Sequence, residues 1–209
     1  MTSLNKTFAL YFLSICLLYS CSTDTDSKLS FIGEVQIEGT DTIYHKVPDF
    51  LFIDQDSNYI SNESFQNKAY VVDFFFTSCP TICPMVKKQM LRIYERYENE
   101  DGLKFLSHSI DTRRDSVPHL KRYATNLGIS STRWHLVTGE KSKIYDIADD
   151  YFSVAKEDPS APGGYDHSGR LILVDPNGHI RAFCDGTNPK EVDLFMEDID
   201  KLLKEMNEQ

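Results

Sequence analysis

The clearest hydrophobic pattern in the chain is Tyr70-Val71-Val72-Asp73-Phe74-Phe75-Phe76, a β-prone run interrupted only by Asp73. A short run of this kind predicts a strand covered on both faces. It leads directly into Thr77-Ser78-Cys79-Pro80-Thr81-Ile82-Cys83-Pro84, after which the period changes. Met85, Val86, Met90, Ile93, Tyr94 and Tyr97 recur at spacings of three and four, which predicts an amphipathic helix. Pro84 fits only in its first turn, where no intrahelical N–H is needed.

The alternation continues with a predicted strand over 103–111, a helix over 116–128 capped by Ser116, a strand over 134–139 and a helix over 141–152. An irregular segment over 158–169 then precedes two strands, RLILVD and HIRAFCD, joined across Pro176-Asn177-Gly178, and a helix over 189–206 closes the chain. Upstream, FIGEVQIEG and DTIYHKVPDFLFID alternate loosely and predict short strands in a hairpin-rich section. Strands alternating with helices and ending in a hairpin and a helix predict an α/β sandwich. No internal repeat is present.

The first twenty residues break this pattern. Lys6 is followed by an apolar stretch from Phe8 to Tyr19, interrupted only by Ser14, and then by Ser20-Cys21. A charged start, an apolar middle and a small residue before the cut make a secretory signal. The run is shorter than the roughly 18 residues of a membrane span. Leu18-Tyr19-Ser20-Cys21 resembles a bacterial lipobox, in which Cys21 would carry the lipid; a conventionally cleaved or uncleaved signal is the alternative. The expected organisation is a lipoprotein-type signal over 1–20, a polar tether over 21–30 and one domain over 31–209. The expected location is extracytoplasmic and membrane-anchored. The net charge of −10, with no run of Lys or Arg to offset it, argues against nucleic acid as a partner.

Of five cysteines, Cys16 lies in the signal and Cys21 at its end, so the domain keeps Cys79, Cys83 and Cys184. A close pair in an exported domain of this size suggests chemistry more than stapling. A helix N-terminus favours the thiolate, which is both the nucleophile and the metal ligand. If the first turn is helical, Cys79 and Cys83 sit at i and i+4 on one face. Two soft thiolates suit Cu(I), and an added imidazole makes an S₂N set for Cu(I) or Cu(II); a plain disulfide or two buried thiols remain open.

A strand that delivers a cysteine pair onto a helix N-terminus, followed by βαβ, a hairpin and a helix, resembles the thioredoxin fold, here with an N-terminal β-hairpin extension. FFFTSCPTICP, SIDTRRD, WHLVTG and YDHSGRLILVDPNG stand in the order and approximate spacing of the Sco/SenC family of copper proteins, a resemblance covering roughly residues 48 to 205. The resemblance implies that His167 is the third copper ligand and that the protein is a copper chaperone. Its expected client is the copper-bearing subunit of cytochrome c oxidase, with its copper A centre, or another extracytoplasmic copper protein.

The alternative is an extracytoplasmic thiol-disulfide oxidoreductase in which Cys79 attacks a partner's cysteines and Cys83 resolves the mixed disulfide. Asp73 matches the buried carboxylate of thioredoxin's own strand. It is a candidate proton relay, in a place where desolvation favours the uncharged form, or else a hydrogen-bonded structural residue. A copper or redox sensor is the weakest reading.

The other candidates are expected to be structural. Cys184 reads as a core or surface thiol. His45, His108, His119, His135 and His179 lack ligand spacing. Asp111 and Asp115 read as caps and loop anchors, Met85 and Met90 as helix packing, and Trp134 as packing beneath the neighbouring helices. Asp166 either orients the His167 imidazole or is a solvated loop carboxylate.

Overall fold

The computed structural model describes residues 28–208. The signal, Cys21 and most of the tether therefore lie outside the described residues. The first strands are β1 (Val35–Glu38) and β2 (Asp41–Tyr44), an antiparallel hairpin forming a sheet of its own, followed by β3 (Leu51–Asp54) and β4 (Tyr59–Ser61). The core of the domain is laid down by β5 (Ala69–Phe75), α1 (Cys83–Arg96), β6 (Leu103–Ser109), α2 (Val117–Leu127), β7 (Trp134–Thr138) and α3 (Lys141–Asp150). Then come β8 (Ala155–Glu157), β9 (Tyr165–His167), β10 (Arg170–Val174), β11 (Ile180–Asp185) and α4 (Pro189–Asn207).

The main sheet has seven strands in the order β11-β10-β5-β6-β7-β3-β4. β5, β6 and β7 are parallel, and β10 lies antiparallel to β5, with Ile172 opposite Val72 and Val174 opposite Tyr70. Every residue of β5 is buried, as a strand covered on both faces requires. Alternation sends Asp73 and Phe75 to one face, where Lys87 of α1 and Tyr123 of α2 meet them. It sends Tyr70 and Phe74 to the other, where His108 and Tyr151 pack. The α/β sandwich and the N-terminal hairpins stand as the hydrophobic pattern predicts.

Four local features differ from the sequence expectation. The condition that would put both cysteines at i and i+4 on one helical face is not met, since α1 starts at Cys83 with Cys79 in the loop before it. The segment expected to be irregular over 158–169 contains β9, paired with β8 through Ala155–His167, Lys156–Asp166 and Glu157–Tyr165. Three-residue strands are too short to show an alternation, which is why this hairpin escapes the pattern. Ser116 occupies the cap position of α2, but its side chain makes no cap hydrogen bond; its carbonyl accepts from the N–H groups of His119 and Leu120. Finally, Leu29 and Ser30, assigned to the tether, are held on the domain. Leu29 N–H donates to Glu205 at 2.5 Å, and Arg181 donates to both backbone carbonyls.

Candidate metal centre

Phe76 ends the buried run of β5, and the chain then turns over the N-terminus of α1. Cys79 N–H donates to Phe76 O at 3.2 Å, which closes the first part of the loop. Asp115 pins it from the side: its carboxylate accepts from Thr77 N–H at 3.0 Å, from Thr77 Oγ1 at 2.5 Å and from Ser109 Oγ at 2.6 Å. Asp115 is thus the loop anchor that its position suggested. Cys83 is the first residue of α1 and Pro84 the second, so proline falls where its lost donor is harmless. Cys79 is in the loop and Cys83 on the helix. The loop closure, and not an i, i+4 helical face, brings the pair together.

The third member comes from the end of β9, just before β10. The turn before β9 needs glycine at Gly163, whose φ is +82° and where a Cβ would stand 2.8 Å from the Phe76 ring. This close approach seats β9 on the cysteine loop. Tyr165 packs on Phe76 with ring centroids 4.9 Å apart, and the His167 ring meets Phe76 edge-on at 5.2 Å.

His167 Nε2 consequently lies 3.1 Å from Cys83 Sγ and 3.7 Å from Cys79 Sγ. The three donor atoms are all within 4.8 Å of one another. The described cysteines are free thiols. Burial pushes the Cys79 thiol up, but hydrogen bonds from Thr81 and Cys83 outweigh it, leaving it below the ordinary thiol range. Burial pushes Cys83 far up, with its neighbour Cys79 adding to the effect. Burial also lowers His167, against the opposing charge of Asp73 and a hydrogen bond to the Tyr165 backbone. An imidazole kept neutral is in the state a metal requires. Two sulfurs and one nitrogen converging on a point form a donor set for a soft or borderline ion, Cu(I) above all.

Asp73 does not join this group. It is buried, and its carboxylate takes two bonds from Lys87 Nζ, at 2.8 and 3.1 Å, plus one from Ser107 Oγ. Lys87 is itself buried, donates to Ser107 Oγ at 3.0 Å and lies 4.0 Å from the Phe75 ring centre. Trp134 Nε1 completes the network by donating to Ser107 Oγ at 2.8 Å. Asp73, in the reading as a proton relay or as a structural residue, is thus half of a buried ion pair.

Lys87 is the residue that sequence reasoning missed. It stands one helical turn below Cys83, between Val86 and Met90 on the buried stripe of α1. A lysine at a core position facing an aspartate in the neighbouring strand was the available signal.

Cys184 is buried in β11, with its thiol pushed up to about 12 by burial. Asp166 pairs with Lys156 at 3.3 Å. His108 is fully buried and stacked on Phe74. His135 bonds Asp54 at 3.0 Å. His119 lies 3.1 Å from Thr77 Oγ1, in contact with the loop but outside the donor group. Met90 packs in the core as expected, whereas Met85 is 47% exposed beside the site. A groove of about 550 Å³, floored by Pro84, Leu91, Tyr123 and Leu127, opens onto both cysteines.

Comparison with known proteins agrees with this geometry. The SCO1 protein homolog of Bacillus subtilis (strain 168) is 28% identical over 161 residues, covering 76% of this chain and 83% of its own. A putative copper-binding protein of Stutzerimonas stutzeri is 27% identical over 140 residues, covering 65% and 67%. The structure of BsSco, described as a member of the Sco family of cytochrome c oxidase assembly proteins with a disulfide switch, superposes with a TM-score of 0.67. It is 28% identical, with 76% of this chain and 94% of that one covered. The SCO1/SenC family pattern matches residues 39–204, which include the cysteine loop and His167, and the chain belongs to the SCO1/SenC family.

Proposed function

We propose that this protein carries one copper ion on Cys79, Cys83 and His167 and passes it to the copper-bearing subunit of a respiratory oxidase outside the cytoplasm. The observation that supports it most is the convergence of two sulfurs and one imidazole nitrogen within 4.8 Å at the start of a helix. The ion is cargo. Cys83 and His167 are held by secondary structure, while Cys79 sits on a loop fastened through Thr77 and Asp115, and the groove beside them leaves room for an incoming ligand. Release by ligand exchange needs such an opening. The names of the relatives supply the copper and the oxidase. The test mixes copper-loaded protein with the copper-free copper A domain of an oxidase. Growth of the target's copper absorption as this protein loses metal is expected, and retention of the ion by this protein would reject delivery.

A second reading has its own support. Cys79 below and Cys83 above the ordinary thiol range give the asymmetry of an attacking and a resolving cysteine. Reduction of a disulfide in the oxidase's copper site would prepare it for the ion, so the two roles are compatible. Brisk reduction of insulin by metal-free protein, with no transfer of copper, would place this reading first.

Attachment to the membrane through a lipid on Cys21 belongs to the same proposal. Its motivation is the apolar signal ending in Ser20-Cys21. Cys21→Ser is expected to release the chain from membranes or leave its signal uncut, and unchanged maturation and fractionation would reject the anchor.

A further inference from the structure

The β1–β2 hairpin is exposed at every position, on both strands. Its register gathers most of its apolar side chains on one face and both acids on the other. Val35 stands opposite Tyr44 and Ile37 opposite Thr42, while Gln36 stands opposite Ile43 and Glu38 opposite Asp41. With side chains alternating between faces, one face carries Val35, Ile37, Thr42 and Tyr44, and the other carries Gln36 and Ile43 together with the acids Glu38 and Asp41. Phe31 extends the apolar face by stacking on Tyr44 with ring centroids 4.4 Å apart. Ile37 is 77% exposed and Val35 53%. Tyr44 is partly covered by Phe31 and by the edge of His179, but Val35 and Ile37 leave an exposed apolar patch, the kind of surface that marks an interaction site.

The place of this hairpin in the fold says what covers it. It is seated at one end of the main sheet: Ile32 bridges Ile180, and Val47 N–H donates to Gly178 O at 2.9 Å. That end is where Val174 pairs with Tyr70, near the start of β5. The cysteine loop leaves the opposite end of β5, and His167 immediately precedes the opposite end of β10. The chain enters the domain at the hairpin's end as well, with Leu29 and Ser30 clamped by Arg181 and Glu205. Arg181 is further fixed by Asp175 at 3.2 Å, so this entry point is rigid. From Cys21 to Lys28 is seven residues, which reach at most roughly 25 Å when fully extended. A lipid on Cys21 would therefore bring the hairpin's end of the domain down onto the membrane.

We infer that the Val35–Ile37–Tyr44 face of the hairpin rests on the lipid surface, so that the domain stands on the membrane with Cys79, Cys83 and His167 at its outer end. The inference rests on the lipid-anchor reading and adds an orientation to it. The acids on the opposite face suit a zwitterionic surface better than a strongly anionic one. A partner would then reach the metal at the height of the domain above the bilayer.

The test uses the mature, membrane-derived protein reconstituted in zwitterionic vesicles containing brominated lipid, a short-range quencher of indole emission. The native Trp134 is fully buried and gives a constant background. Ile37→Trp adds a reporter on the apolar face, and Leu194→Trp, at a 60% exposed position near the start of α4, adds one toward the metal end. The expected result is loss of most of the added Ile37→Trp emission and none of the Leu194→Trp emission, with a lipid on Cys21 shown by mass spectrometry. Lipidated protein with unquenched Ile37→Trp overturns the hairpin contact while leaving the anchor standing. Emission that ignores lipid but shifts to the blue with protein concentration gives the face to a second copy and overturns the inference likewise. Mature chain that carries no lipid removes the short tether, and the anchor reading and the orientation fall together.

Discussion

Lys87 Nζ lies 2.8 Å from Asp73 Oδ2 in a site where both side chains are almost fully buried, one helical turn below Cys83. The pair explains how a carboxylate is tolerated in the middle of the most apolar strand of the protein. Each charge satisfies the other, Ser107 binds both, and the Phe75 ring faces the ammonium. Breaking such a pair is more damaging than never having it, because the surviving charge stays in a low-dielectric interior.

Asp73→Asn and Lys87→Met are therefore each expected to destabilise the metal-free protein by about 3–5 kcal/mol. The double variant should cost far less than the sum, since no charge is then left alone. Denaturant unfolding of the four proteins measures this directly. Additive losses would mean that the two side chains do not compensate each other.

Much of the fold was legible because β5 and α1 announce themselves by period. The Phe74-Phe75-Phe76 run is core, and the stripe through Val86, Met90 and Ile93 is buried as its spacing requires. The cysteine pair was equally legible. What the sequence could not show was the route of His167 to the sulfurs, because β8 and β9 are three residues each and the seat of β9 depends on Gly163 meeting Phe76. The resemblance to a family pointed to His167 where periodicity was silent. Lys87 stayed hidden for the opposite reason: lysine on an amphipathic helix reads as solvated unless its partner across the layer is known.

Asp115 touches no donor atom of the metal centre, yet it holds Thr77 two residues before Cys79. Asp115→Ala is expected to weaken Cu(I) affinity about 10- to 100-fold, as loss of a supporting hydrogen-bonded residue commonly does. The far-ultraviolet circular dichroism spectrum should be unchanged. A competitive titration against a Cu(I) chelator reads the affinity, and wild-type affinity would show that the loop holds its shape without the anchor.

His108 gives the protein a specific acid sensitivity. Its ring nitrogens have no hydrogen-bond partner among the described residues, and burial pushes its pKa down to about 3. The unfolded chain binds a proton near the ordinary value of about 6.5, so the unfolded state holds more protons between these limits. The contribution of this residue is fully present above the unfolded value and is lost as pH falls toward the folded one, by up to about 1.4 kcal/mol per pH unit. His135, also lowered chiefly by burial, acts in the same direction. His108→Phe should flatten the fall of unfolding free energy between roughly pH 6 and roughly pH 4, whatever its effect at neutral pH. An unchanged slope would contradict the assignment.

Copper delivery requires that Cys79, Cys83 and His167 act as one copper site. The direct measurement is anaerobic Cu(I) titration of the reduced protein lacking residues 1–21, beside His167→Ala and Cys83→Ser, with metal content and affinity read in competition with a chelator. One copper per chain is predicted for the parent protein, with severe weakening in both variants. Equal, tight, one-to-one binding by parent and His167→Ala would contradict the account, because the imidazole 3.1 Å from Cys83 Sγ would then contribute nothing to holding the ion.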